Sequence, residues 1–358
     1  MAVVQPFRAV RYDEQAAGPL ASLVAPPYDV LGPEERLGYL ARSPHNVVHL
    51  TLPDSEADAA RAFGEWQEDG VLVRDSEPGF WALTQDYAGP DGVARRRTGL
   101  VASLRVEPYE QRVVLPHERT HRGPKEGRLR LLRAVRAQLE PIFLLYDAEP
   151  PFSVPARAPD LEAEGARLWR VTGDGIGAAF AEHQLLIADG HHRYETALAF
   201  HEEDGTPESA FMLAVLVSTR DPGLTIFPTH RVFEREHLLS ANGSGSDPER
   251  ALRELEALPA DRAAAVQVTS QGAALVTGEP GRLDVQLVDR LGHEGIAYTP
   301  DWREAVRRVE EGEAAVAYLV RPPRIEQVFA ASARGEVMPQ KTTYFHPKLL
   351  SGLLFLPL

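Results

Sequence analysis

The chain has 358 residues, of which 44% are hydrophobic and 25% are charged, a composition typical of a globular protein. Its formal net charge of −14 disfavours nucleic acid and anionic membrane surfaces as main partners, although a local basic patch can still hold phosphate. There are no cysteines, which excludes disulfides, thiolate catalysis and cysteine-ligated zinc.

The N-terminal residues lack the basic and apolar regions of a signal peptide. No apolar run approaches the roughly 20 residues that a membrane helix needs. We therefore expect a cytoplasmic protein without a membrane partner.

Short strands and helices alternate in the first hundred residues. One helix is well delimited, because Ser55 or Asp54 can cap its N-terminus and Gly70 follows its last turn. A Gly-Pro-Asp-Gly turn separates two of the strands. The predicted elements are a strand over 46–52, a helix over 55–69, and strands over 80–87 and 96–106.

The middle of the chain contains an arginine-rich helix and several apolar strands. Leucines and valine recur at helical spacing before Pro141, which stops the helix. The predicted elements are a strand ending near Glu118, a helix over 125–139, strands over 142–146, 184–188 and 211–218, and a helix over 194–203. The strand over 211–218 is apolar almost throughout, which indicates a central position in a sheet.

The last third begins with a segment rich in Ser, Gly, Asn and Asp over 239–247, which we predict to be a linker. A helix and then strands and loops follow. The tail over 349–358 is unusually apolar, so we expect it to pack back onto the body of the protein.

The turn Asp189-Gly190-His191-His192-Arg193 is the most informative stretch, because a buried strand enters it and a helix leaves it. A helix N-terminus presents backbone N–H groups and the positive end of the helix dipole, which together bind anions such as phosphate. Arg193 adds a forked donor for phosphate oxygens. His191 and His192 add donors or a proton carrier near neutral pH.

Two further residues of the turn have separate expected roles. Gly190 lets the backbone approach a ligand closely, and Asp189 can bind Mg²⁺ or orient a histidine. Because adjacent side chains diverge, Asp189 and the two histidines cannot easily chelate one metal ion alone. An ordinary Asp-Gly surface turn explains the same residues, so the motif by itself leaves both interpretations open.

Other candidates are basic or aromatic residues near predicted loops. The segment over 117–130 is basic in an acidic chain, which suggests anion binding, and its alternative is a solvated helix face paired with acids. The loop Ala25-Pro26-Pro27-Tyr28-Asp29 either places Tyr28 and Asp29 in a site or is only a stiff connection. Thr229, His230 and Arg231 are second-rank candidates for phosphate or substrate contacts. Lys341, Tyr344 and Lys348 are candidates to close over the site, with a structural role favoured for Tyr344 and both roles left open for the two lysines.

Several motifs spread over the chain resemble the uncharacterised DUF1015 family. They are Gln5-Pro6-Phe7-Arg8-Ala9-Val10, Ala25-Pro26-Pro27-Tyr28-Asp29-Val30, Leu115-Pro116-His117-Glu118, residues 188–198 and Tyr344-Phe345-His346-Pro347-Lys348. The resemblance covers essentially the whole chain. It implies no function, because the family itself is unassigned.

Two of these motifs, Leu115-Pro116-His117-Glu118 and the turn at 189–193, are also similar to free serine kinases of the ParB/sulfiredoxin superfamily. The similarity covers about 105–235. It implies that Glu118 is the general base on a substrate hydroxyl and that Asp189, His191, His192 and Arg193 form a phosphate-binding turn. Phosphoryl transfer needs such a base and positive charge around the moving group.

From these observations we expect an α/β fold with a ParB/sulfiredoxin-like core flanked by an N-terminal α/β region and a C-terminal α+β region. The predicted regions are 1–104, 105–238 and 239–358. The expected function is nucleotide-dependent phosphoryl transfer to a small hydroxyl-bearing metabolite such as a free amino acid. A regulatory nucleotide-binding protein of the ParB type and a phosphohydrolase remain as alternatives.

The expected cofactors are Mg²⁺ and ATP, ADP or another nucleotide as donor. The expected site residues fall into four groups. They are the catalytic Glu118, His117, Asp189 and His191; the phosphate- or nucleotide-binding Gly190, His192, Arg193, Thr229, His230 and Arg231; the substrate-binding Tyr28, Asp29, Arg119 and Lys125; and Asp189 again as the metal ligand.

Overall fold

Two large β-sheets organise the chain in the computed structural model, which describes residues 1–118, 122–240, 242–336, 338–339 and 341–358, without the side chains of 122–124 and 242–244. The described strands are β1 Val4–Gln5, β2 Val10–Tyr12, β3 Leu72–Arg74, β4 Phe80–Ala88, β5 Ala94–Arg105, β6 Val114–Leu115, β7 Ala137–Gln138, β8 Ile142–Tyr146, β9 Leu161–Ala163, β10 Ala166–Val171, β11 Leu185–Asp189, β12 Phe211–Ser218, β13 Ile226–Phe227, β14 His230–Phe233, β15 Asn242–Ser246, β16 Arg262–Thr269, β17 Gly272–Pro280, β18 Ile296–Thr299, β19 Val316–Leu319, β20 Tyr344–Phe345 and β21 Leu356–Pro357.

The helices of the described residues range from single turns to four turns. They are α1 Glu14–Ala17, α2 Leu20–Leu23, α3 Pro33–Leu40, α4 Val48–Thr51, α5 Glu56–Glu68, α6 Arg122–Val135, α7 His191–Asp204, α8 Pro248–Glu256, α9 Asp284–Val288, α10 Trp302–Glu310 and α11 Ile325–Ala333. Short 3₁₀ turns lie at Tyr28–Val30, Tyr109–Gln111, Ala178–Phe180 and Asp289–Leu291. Across the described ranges, no helix combines the length and the apolar character that crossing a membrane requires.

The chain divides into two units, each with its own sheet. The first unit comprises residues 1–87, 94–224 and 347–358, and the second comprises 88–93 and 225–346. This division differs from the three regions 1–104, 105–238 and 239–358 that the sequence suggests. The reason is that β5, before residue 105, pairs with β12 beyond it, so the first two predicted regions share one sheet.

The sheet of the first unit runs in the order β6-β11-β8-β12-β5-β4-β10-β9, with β1 also paired to β5. β12 lies parallel to β8 and antiparallel to β5, so its backbone is paired on both sides. Seven of its eight residues are buried. The α/β class and the central position predicted for this strand are therefore confirmed.

The second unit contains an antiparallel sheet in the order β15-β17-β16-β19-β14-β18. Its core lies on both faces of this sheet. One buried cluster contains Ala251, Leu255 and Val309 from the amphipathic helices α8 and α10, and the other contains Val285 and Val288 from α9.

The strand predicted over 46–52 is wrong, because this segment forms the short helix α4. The side chain of Asn46 accepts a hydrogen bond from Val48 N at 3.0 Å and donates to Ser22 O at 2.8 Å. Such side-chain bonds to the backbone compete with strand pairing. The local capping by Asn46 therefore decides the element.

Two other boundaries also differ from the sequence-based expectation. The predicted linker over 239–247 contains β15, which pairs with β17. The helix predicted over 125–139 ends at Val135, where Arg136 has a left-handed φ of 53°, and Ala137–Gln138 then pairs with β21. The helix predicted over 55–69 is confirmed as α5, with the hydroxyl of Ser55 accepting from Asp58 N.

The apolar tail packs into the first unit as predicted. Phe355 is fully buried, and its backbone exchanges two hydrogen bonds with Val10 at 2.8 and 3.0 Å. Its ring contacts Tyr12 and Phe63 at centroid distances of 5.8 and 5.9 Å, both edge to face. The tail is therefore part of the core of this unit.

We expect Phe355→Ala to lower the free energy of unfolding by about 3–5 kcal/mol, because it removes a buried ring and leaves a cavity. Urea denaturation of the purified protein measures this change. Leu37→Ala, at a side chain that is 62% exposed, is the control and should change stability by less than about 0.5 kcal/mol. Equal small effects in both variants would contradict a packed tail.

Candidate functional site

A glycine turn joins the C-terminal end of β11 to the helix α7. Gly190 is the N-cap of α7 with φ 93°, and no side chain caps this helix end. A Cβ atom at Gly190 would lie 2.8 Å from Cγ2 of Ile142. The turn therefore requires glycine for both its backbone conformation and its close approach to β8.

The helix begins at His191, three residues earlier than the predicted start at 194. His191, His192 and Arg193 thus occupy its first turn, where backbone N–H groups have no partner within the helix. This is the geometry expected of an anion-binding helix N-terminus.

The carboxylate of Asp189 binds two cations at the end of β11. Its Oδ2 accepts a hydrogen bond from Arg193 Nη2 at 2.7 Å, and its Oδ1 accepts from the ammonium of Lys348. Burial alone would raise the pKa of Asp189, but the charges of Lys348 and Arg193 outweigh burial and hold that pKa at about 2. Asp189 is therefore ionised at neutral pH and anchors the turn.

Arg193 points into the protein instead of toward solvent. Its Nη1 donates to the carbonyl of Pro141, its Nη2 donates to Asp189, and only 8% of its side chain is exposed. Burial would lower the pKa of Arg193, yet the nearby carboxylates of Asp189 and Glu140 raise it. In this arrangement Arg193 positions the turn, and its predicted direct contact with phosphate gains no support.

The His-Glu corner and the glycine turn meet through two histidines. His117 N donates to Nε2 of His191 at 3.3 Å, and the two imidazole rings lie edge to face with centroids 4.7 Å apart. His117 Nδ1 lies 2.6 Å from the carbonyl oxygen of Ile187 on β11, so this nitrogen carries the proton. The sequence prediction that these two motifs share one site is consistent with this geometry.

Both histidines are neutral at physiological pH. Burial lowers the pKa of His117 to about 4, against a smaller rise caused by its bond to Ile187 O. Burial, together with the neighbouring His117, also holds the pKa of His191 well below its usual range. The role of proton carrier near pH 7 that the sequence suggested for His191 therefore gains no support, and the same role for His192 stays a prediction.

Glu118 follows His117 directly and is half-buried. Lys125, one of the predicted substrate contacts, forms an ion pair with Glu195 that links α6 to α7. Arg119, another predicted contact, lies outside the described residues. The roles proposed for these three side chains stay predictions.

The loop that carries Tyr28 lies near Arg193. Tyr28 N donates to Glu140 Oε1 at 3.0 Å, and the guanidinium of Arg128 lies 4.0 Å from the centre of the Tyr28 ring. Asp29 is exposed. Tyr28 is thus fixed near the turn by backbone and ring contacts, while a substrate contact by either residue stays a prediction.

Thr229, His230 and Arg231 belong to the second unit, where all three are buried. His230 Nδ1 accepts from Val320 N at 3.2 Å, and Arg231 forms an ion pair with Asp289 at 3.4 Å. These partners give the side chains of His230 and Arg231 a structural role. Their predicted contact with phosphate is not tested.

A magnesium ion does not fit Asp189 in this arrangement, because both of its oxygens bind cations. Within the described part of the chain, no group of three or more His, Asp or Glu side chains is placed to hold a metal ion. The magnesium prediction therefore gains no support from this site.

Sequence reasoning gave Lys348 no decided role and did not consider Glu140. Glu140 is buried, and its Oε1 accepts from Tyr28 N and from the Ser351 hydroxyl at 2.8 Å. The motif at 344–348 was a signal for Lys348, but only the fold brings it to Asp189.

Solved structures of low identity resemble this chain. A free serine kinase in complex with AMP is 19% identical with a TM-score of 0.39, and the match covers 67% of this chain and 89% of that one. A conserved hypothetical protein from Pyrococcus furiosus is 17% identical with a TM-score of 0.33, and the match covers 65% of this chain and 87% of that one. SbnI with C-terminal truncation from Staphylococcus aureus is 11% identical with a TM-score of 0.38, and the match covers 67% of this chain and 82% of that one. At TM-scores this low the likeness carries no conclusion about activity.

Sequence comparison gives a clearer result. No curated protein matches the chain significantly. The profile of DUF1015, a family described as a protein of unknown function, matches residues 4–283. This match spans well over half of the chain and agrees with the motifs that suggested the family. The chain therefore belongs to the DUF1015 family.

Proposed function

We propose that this protein is a nucleotide-dependent phosphotransferase that acts on a small hydroxyl-bearing metabolite such as free serine. The observation that carries the proposal is the contact between His117 and His191 at 3.3 Å, because it joins the corner that bears Glu118 to the N-terminus of α7. A carboxylate next to an anion-binding helix end is the arrangement that phosphoryl transfer to a hydroxyl needs.

In the proposed reaction the substrate hydroxyl oxygen attacks the terminal phosphorus of ATP or ADP. The new O–P bond forms as the bond between that phosphorus and the bridging oxygen breaks, and the shortened nucleotide leaves. Glu118 accepts the hydroxyl proton. The chain's contribution is to orient the hydroxyl and to place positive charge at the moving phosphoryl group.

The two neutral histidines suit this reaction as fixed dipoles. A neutral imidazole adds no positive charge that Asp189 would have to balance, and its proton position is set by its partner. His117 donates to the Ile187 carbonyl, which holds its ring against His191. We assign His117 and His191 to positioning of the corner and the turn.

The proposal is tested by incubating the protein with ATP, ADP or CTP and serine, and then detecting phosphoserine. A new phosphorylated serine supports transfer, whereas release of inorganic phosphate alone supports a phosphohydrolase. Nucleotide binding without either product supports a regulatory role and contradicts the proposal.

We expect Glu118→Gln to reduce turnover by about 10²–10⁴-fold, because it removes the general base but keeps the size of the side chain. Nucleotide affinity, measured by titration calorimetry, should stay within about threefold of the wild-type value. Glu110→Gln, at an exposed glutamate of the same unit, is the matched control and should keep full turnover. Wild-type turnover in Glu118→Gln would remove Glu118 as the base.

Stability should fall on acidification partly because of His117. Its pKa is about 4 in the folded protein and about 6.5 in an unfolded chain, so the unfolded state binds more protons between these values. The stabilisation is fully present above pH 6.5 and is lost as the pH falls toward 4. Between pH 7.5 and 5 this amounts to roughly 2 kcal/mol.

Between pH 7.5 and 5 the free energy of unfolding of His117→Asn should therefore fall by roughly 2 kcal/mol less than that of the wild-type protein. Urea unfolding at the two pH values measures this difference. His293→Asn is the control, because the side chain of His293 is exposed in the folded protein. An unchanged pH dependence in His117→Asn would show that this imidazole is not buried as described.

A further inference from the structure

A lysine from the C-terminal segment reaches the glycine turn from 159 residues away in sequence. The ammonium of Lys348 donates to Asp189 Oδ1, on the carboxylate that also binds Arg193. Lys348 belongs to the same unit as the turn. The site is therefore built from the middle of the chain and from its last residues together.

Buried hydrogen bonds fix the backbone on both sides of Lys348. Before it, the fully buried Arg97 donates from Nη2 to Pro347 O at 2.7 Å. After it, Ser351 N donates to Ala25 O at 2.9 Å, and the Ser351 hydroxyl donates to Glu140. The position of the lysine is thus determined by the fold and is not that of a loose surface side chain.

Lys348 keeps unused hydrogen-bonding capacity on a side chain that is more exposed than that of Arg193. An ammonium has three donors, and over the described ranges Asp189 is the one hydrogen-bond partner of Nζ. The Lys348 side chain is 23% exposed, compared with 14% for Asp189 and 8% for Arg193. Of the three charged groups, the lysine is the one most open to a ligand.

The local charge also favours an anion. Lys348, Arg193 and Asp189 together carry one net positive charge beside the N-terminus of α7, while the carboxylate of Glu140 lies near the more buried Arg193. The field of this positive charge reaches the two histidines, because the charge of Lys348 is among the causes that lower the pKa of both His117 and His191.

We infer that Lys348 is the cation that binds the terminal phosphate of the nucleotide, while Arg193 holds Asp189 in place behind it. This inference rests on the proposed function and names the group that contacts the phosphoryl donor. Because Arg193 still satisfies Asp189, Lys348 can share its remaining donors with phosphate oxygens. The C-terminal segment is then part of the binding site.

The test compares the affinities of the wild-type protein and its variants for ADP, pyrophosphate and adenosine. Lys348→Ala should weaken ADP and pyrophosphate binding by about 10–100-fold, as expected for loss of a charged hydrogen bond, and should leave adenosine binding unchanged. Lys348→Arg should restore most of the affinity. Arg133→Ala is the control, because it removes a cation paired with Glu203 near the other end of α7.

The outcomes separate this inference from the proposed function. Equal weakening of ADP and adenosine in Lys348→Ala would assign the lysine a purely structural role and overturn the inference. If the wild-type protein forms phosphoserine and Lys348→Ala binds ADP as tightly as the wild-type protein does, the inference is overturned and the proposed function stands. A wild-type protein that binds neither ADP nor pyrophosphate would overturn both.

Discussion

The carboxylate of Asp189 binds two cations, one four residues away in the sequence and the other 159 residues away. Arg193 comes from the first turn of the helix that follows, and Lys348 comes from the C-terminal segment. A partly buried carboxylate needs such partners, because an unpaired charge in this position would be strongly destabilising. These two bonds connect the end of β11 to the first turn of α7 and to the C-terminal segment.

This constraint explains how an acidic protein can offer a site for phosphate. The two histidines at the corner and the turn are neutral, so positive charge is concentrated on Lys348 and Arg193. Lys348 faces the accessible side and Arg193 the interior, which gives the two cations different tasks. The proposed base, Glu118, adjoins this charge through its neighbour His117.

Local signals predicted much of the fold, including the strand, turn and helix that carry the candidate site. Ser55 and Gly70 marked the ends of α5, and the sequence from Leu185 through Gly190 marked a strand, a turn and a helix. Long-range contacts decided the rest. The composition around Asn46 fits a strand, but its side chain binds the backbone at Val48 and Ser22. The forked donor of Arg193 suggested a contact with phosphate, but in the structure this side chain donates to the carbonyl of Pro141 in the interior.

The most direct measurement of the central claim is a crystal structure of the wild-type protein with bound ADP. The account predicts the terminal phosphate within hydrogen-bond distance of Lys348 Nζ and of the first backbone amides of α7, with the Arg193 side chain still on Asp189 and Pro141. A nucleotide bound in the second unit, or one whose phosphates lie away from Gly190 and Lys348, would contradict it.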